Sequence, residues 1–170
     1  MNYRWIGGIL VILGCGGFGI RMAAAHRREE AALRELIGAL DLMECELQYH
    51  LTPLPELCRQ AAGECRGNLR RVLQRLSEEL NAQIAPDVES CMLSALAQGW
   101  DLPAAVREQL LNLGRSMGRF DLEGQLKGLE AVRGICRQKL TELNENKEVR
   151  LRSYQTLGFC AGVALAILLI

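Results

Sequence analysis

From Leu33 to Leu47 the apolar side chains return every three or four residues: Leu33, Leu36, Ile37, Leu40, Met43 and Leu47. That spacing puts them on one stripe of a helix expected from about Arg27 to Tyr49. A second long stripe (Leu122, Leu126, Leu129, Cys136, Leu140, Leu143) follows Asp121, a good N-cap, and meets no breaker after Gly134. Between the two, the pattern breaks into short helices expected at about 54–62, 67–81, 86–98 and 103–115. Each of the four prolines (Pro53, Pro55, Pro86, Pro103) stands where a helix can begin, and Gly63, Gly99 and Gly118 stand where helices can stop. Only ten of the 128 residues from His26 to Ser153 are Val, Ile or Thr, which disfavours strands. The expected fold is all-α, a compact bundle of about six helices.

At both ends the alternation gives way to uninterrupted apolar sequence. Trp5–Ile20 is 16 uncharged residues, extended through Met22–Ala25 if Arg21 snorkels, and the chain closes with 17 uncharged residues, Tyr154–Ile170. At about 1.5 Å per residue these runs reach roughly 24–32 Å and about 25 Å, against a hydrocarbon core of about 30 Å. Tyr3, Trp5 and Tyr154 sit at their ends, where amphipathic rings favour the interface. The expected organisation is a transmembrane helix over 1–25, a cytoplasmic bundle over 26–153 and a second transmembrane helix over 154–170. "ILGC" at 12–15 and "AAA" at 23–25 raise the rival readings of lipoprotein processing and signal cleavage. Charge argues for an uncleaved anchor: Arg4 alone precedes the first run, whereas Arg21, Arg27 and Arg28 follow it and Lys147, Arg150 and Arg152 precede the second. The last soluble helix has no reason to stop before the second span, so a rod of about 50 residues, roughly 75 Å, is expected.

The whole chain holds 20 basic and 20 acidic residues, a balance that gives no bias toward nucleic acid. Every acidic residue lies between Glu29 and Glu148, so the charge is confined to the middle. Seven cysteines, an odd number with no C-x-x-C, fit a reducing compartment in which they serve as small hydrophobes.

Motifs for catalysis are missing. His26 and His50 are 24 residues apart with no second ligand at zinc spacing, so no metal is expected. There is no G-x-S-x-G and no phosphate-binding G-x-x-x-x-G-K-[ST], and no cofactor is expected. Glu29–Glu30 and Glu78–Glu79 are helix neighbours about 100° apart, hence solvated acids rather than an acid/base pair. Arg66, Arg70, Arg71 and Arg75 fall at helical spacing; Arg70, Arg71 and Arg75 are the candidate contacts for a partner. Gly158, Gly162 and Ala166 line one face of the second span, a groove suited to homo-oligomerisation or to the first span's Gly16 and Gly19.

Two stretches of the middle, "ALDLMECELQYHLTPLPE" (39–56) and "LGRSMGRFDLEGQLKGLE" (113–130), taken in order between two anchors, resemble the stage III sporulation protein AB family over essentially the whole chain. The matching positions are Glu46, Tyr49, Thr52, Pro53, Leu54 and Glu56, then Leu113, Gly114, Gly118, Asp121 and Gln125. Read for themselves, Thr52 can cap a helix whose first turn is Pro53–Pro55 with Glu56 as its favourable acid. Gly114 and Gly118 let the chain turn, and Asp121 opens the long helix.

The resemblance implies a non-enzymatic scaffold of the channel between mother cell and forespore. This family looks like a reduced relative of the inner-membrane platform proteins of type II secretion and type IV pilus machines. By that likeness the domain would dock a secretion-type ATPase, stage III sporulation protein AA, and meet other membrane components of the channel from the mother-cell side of the cell membrane. A second reading from another class is a two-span sensor or adaptor that signals through a dimeric final helix, in which Cys136 would face its twin.

Overall fold

A computed structural model of the chain describes the backbone of residues 3–83, 85–117 and 121–169, and the side chains of residues 24–83, 85–117 and 121–145. The described residues form six helices: α1 (Tyr3–Tyr49), α2 (Leu54–Glu64), α3 (Gly67–Asn81), α4 (Val88–Ala97), α5 (Ala104–Ser116) and α6 (Leu122–Leu169). No strand occurs among them. α1 and α6 are much longer than the rest, 47 and 48 residues or about 70 Å each. The segment 21–27 contains neither Gly nor Pro, so α1 runs through the boundary at which a separate helix was expected to begin. The continuation of α6 past Ser153 agrees with the expected rod.

α1 and α6 pack against each other, and the pairing is antiparallel. Arg133 bonds Asp41 at 2.9 Å and also Glu44, and Arg137 lies 3.7 Å from Asp41. The short helices zigzag alongside in sequence order, each packed on the next, with α2 and α5 also touching α1. One end of the bundle therefore gathers the turns after α1, α3 and α5, and the opposite end gathers the turns after α2 and α4. Both long helices leave the bundle at that opposite end.

The core is leucine-rich. Leu33, Leu36, Leu40, Met43 and Leu47 of α1 are buried with Leu57, Leu69, Leu73, Leu76, Met92, Leu110, Leu113, Leu129 and Cys136. At about 1.5–3 kcal/mol per buried large apolar side chain, this stripe-to-stripe packing is the main driving force of the fold. Boundaries moved where packing or a cap intervened. α2 passes Gly63 and stops at Cys65, whose buried side chain turns toward the Glu35 carbonyl (Sγ to O, 3.9 Å). α4 begins two residues after Pro86, because the Asp87 carboxylate accepts the Ser90 N–H at 2.8 Å. Gly99, at φ +77°, follows α4 as expected.

Among the described residues, no helix is long and apolar enough to cross a membrane. The expected spans at 1–25 and 154–170 fall almost wholly on positions whose side chains lie outside the described residues, as do the expected packing residues Gly158, Gly162 and Ala166.

Candidate interaction surfaces

The first of the two sequence stretches builds the corner between α1 and α2. The Glu46 carboxylate accepts the Thr52 hydroxyl at 2.7 Å and lies 3.5 Å from His50 Nδ1. Thr52 was expected to cap α2. It does not: Pro53 holds the N-cap position without a side-chain cap bond, and the Thr52 hydroxyl is spent on the previous helix instead. The tie closes the chain over Leu51, which is held at φ +53°. A non-glycine residue there costs about 1–2 kcal/mol, so the corner stores strain. As a result two large apolar side chains face water, Tyr49 at 72% and Leu51 at 66% exposure. Leu54 packs on the core, and the Pro53 carbonyl accepts the Leu57 N–H at 2.9 Å to start α2. Glu56, the acid of the first turn, takes both guanidinium contacts of Arg59 at 2.7 and 2.5 Å, and that bond holds its carboxyl below the ordinary carboxylate range.

The second stretch supports the bundle. Leu113 is core. Gly114 was expected to let the chain turn; it lies instead inside α5, where a Cβ would stand 2.9 Å from Met92 Cβ of α4. It is a close-approach glycine. Gly118 lies outside the described residues. The Asp121 carboxylate accepts the Gly124 N–H at 3.0 Å and caps α6 as expected, with Gln125 half-buried one turn on. Gly128 was not singled out from sequence, yet a Cβ there would meet Ser116 Cβ at 2.5 Å. Nothing in its local sequence announces that contact, because it depends on how α6 lies on the end of α5.

The arginines of α3 have different surroundings. Arg75 Nε lies 2.9 Å from Glu79 Oε1, which also accepts the Ser94 hydroxyl at 2.8 Å; Glu79 is only 1% exposed and its Oε2 has no partner. Glu79 is thus a buried carboxylate rather than the solvated acid expected. Arg71 stacks over Trp100 at 5.5 Å from the ring centroid, and the indole N–H donates to the Ala95 carbonyl at 3.0 Å. Arg70 is exposed on the same helix.

No cluster of metal-ligating side chains occurs among the described residues. Burial pushes the thiols of Cys58 and Cys65 up to about 12 and that of Cys136 to about 11, so these three stay protonated and unreactive at neutral pH. Cys45 is the exposed one of the five described. Cys136 faces the bundle core, with no exposed surface to offer a twin helix.

Fold and surfaces together define an all-helical bundle held between two long antiparallel helices, with its distinctive residues at a strained corner and at close interhelix contacts. The chain belongs to the stage III sporulation protein AB family, whose family model matches residues 4–170. Stage III sporulation protein AB of Bacillus subtilis (strain 168) is 22% identical over 169 residues, covering 98% of each chain. A solved structure of a stage III sporulation protein AB superposes with a TM-score of 0.62 at 19% identity, covering 72% of this chain and 98% of that one, which corroborates the fold. Membership carries a role in sporulation.

Proposed function

We propose that the protein is a non-enzymatic membrane scaffold of the channel between mother cell and forespore, anchored by two spans, with its bundle on the mother-cell side docking the stage III sporulation protein AA-type ATPase. The observation that carries the reading is the course of α1 and α6. They pair antiparallel through the bundle and leave it at one end, and each then runs on into an uncharged stretch of 16 or 17 residues. Two apolar rods emerging on one side suit a body suspended beneath a bilayer. The basic residues next to those stretches favour the cytosolic side for the body.

Continuous helices would carry a displacement of the bundle into the bilayer without a flexible joint. The burial of Cys136 supports this reading over a sensor that dimerises along α6, because the seam such a dimer needs is already occupied by the core. Co-purification of the full chain with the ATPase, in detergent and in membranes, tests the docking. Complete release of the chain from membranes by alkaline carbonate would overturn the anchoring.

A further inference from the structure

The end of the bundle opposite the two uncharged stretches carries large apolar side chains on its surface: Tyr49 and Leu51 at the α1–α2 corner and Leu122, 40% exposed, at the start of α6. The antiparallel register set by Arg133 with Asp41 and Glu44 places all three at that end. Leu51 is held outward by a backbone conformation that leucine rarely adopts, locked by the Thr52–Glu46 bond. Charge is segregated along the same axis. The described residues within 41–59, 75–91 and 111–133, the portions of the chain nearest this end, hold eleven of the twenty acidic residues and five of the twenty basic ones, although the whole chain is neutral. Glu56 and Glu123, with side chains 39% and 74% exposed, lie at this end as well, paired with the exposed Arg59 and Lys127.

We propose that Tyr49, Leu51 and Leu122 form the contact surface for the cytosolic partner, and that the partner meets it with an apolar recess in a basic face. This rests on the docking reading above and names its surface. A rigid aromatic side chain such as Tyr49 inside a charged rim is a usual anchor of protein recognition, with the two leucines extending the apolar patch around it, while the rim's charge speeds and orients encounter within a Debye length of about 8 Å. The arginines of α3 are poorer anchors for the docking: Arg75 neutralises a buried acid and Arg71 is stacked on Trp100.

The test measures binding of the full chain, in detergent micelles, to the AA-type ATPase. Leu51→Gly removes the side chain and relieves the positive φ, so that variant keeps its melting temperature and any loss of affinity belongs to the contact. The surface predicts binding weakened about tenfold or more by Leu51→Gly and by Tyr49→Ala. It also predicts that Glu123→Lys weakens binding more at low salt than at high salt. Wild-type affinity in both Leu51→Gly and Tyr49→Ala, or a loss confined to Arg70→Ala and Arg71→Ala, overturns the assignment. If the wild-type chain itself fails to bind, the docking reading falls and takes this surface with it.

Discussion

Gly114→Ala sets two effects of one methyl group against each other. In an open helix, replacing Gly by Ala gains about 1 kcal/mol, because the unfolded chain loses freedom and the helix gains its best former. At Gly114 the added Cβ would stand 2.9 Å from Met92 Cβ and 3.3 Å from Met92 Cγ, where carbon atoms normally keep about 3.5–4.0 Å. Met92 Cβ is tied to its backbone and cannot swing away, so α4 and α5 must part. Overpacking of this kind costs about 1–3 kcal/mol. Gly134 of α6 is the control, since a Cβ there meets nothing within 4 Å and the propensity gain is the same.

The difference between Gly114→Ala and Gly134→Ala therefore isolates the packing cost. At about 2–4 °C per kcal/mol for a chain of this size, it amounts to a gap of roughly 2–12 °C, with Gly134→Ala the more stable. Thermal melting of the full chain in detergent micelles, followed by far-ultraviolet circular dichroism, reads it directly. Equal shifts for the two variants would refute the close contact between α4 and α5.

Other consequences follow from the buried groups. Arg75→Ala leaves the Glu79 carboxylate buried beside Ser94 alone and is expected to cost about 3–5 kcal/mol, whereas Arg75→Ala with Glu79→Leu recovers most of that loss; a double-mutant cycle by urea denaturation checks the coupling. Alkaline pH removes stability through Cys58, Cys65 and Cys136. Below about pH 9 these thiols are neutral folded and unfolded, and above it the unfolded thiols ionise while the folded ones resist, up to about 12 for Cys58 and Cys65 and about 11 for Cys136. Each thiol then subtracts about 1.4 kcal/mol per pH unit, and Cys58→Ala should lower the slope by about a third or less, since burial raises the Cys91 thiol as well, in melts taken between pH 9 and 10.5. In a chain carrying Cys15→Ser and Cys160→Ser, Cys45, exposed on α1, should react with a thiol reagent far faster than Cys58, Cys65, Cys91 or Cys136, and adding Cys45→Ser should abolish that fast phase; retention of the phase would place one of the other four thiols at the surface.

Much of the architecture is local and therefore readable. Leucines at three- and four-residue steps define the buried stripe of α1, Asp121 caps α6 as its residue type and position suggest, and α3 runs over Gly67–Asn81 as the pattern implies; on α6 the expected seam meets the core through Leu126, Leu129, Cys136 and Leu143, whereas Leu122, also expected on it, is exposed. Thr52 shows where such reading fails. Its hydroxyl suits a cap, but Glu46, six residues back on α1, offers a stronger charged acceptor once the corner closes. Glu79 beside Glu78 reads as one of two solvated acids, and only the approach of α4, bringing Ser94, reveals it as a buried, half-satisfied carboxylate.

The sequence alone determined the helices, their order and the apolar ends, because periodicity, capping and hydropathy are properties of neighbouring residues. Only the tertiary structure decided that Gly114 and Gly128 are contact points between helices, that Arg75 serves an internal acid, and that Tyr49, Leu51 and Leu122 gather at one end. Those facts depend on which helix lies against which, and side chains distant along the chain meet only once the core has closed.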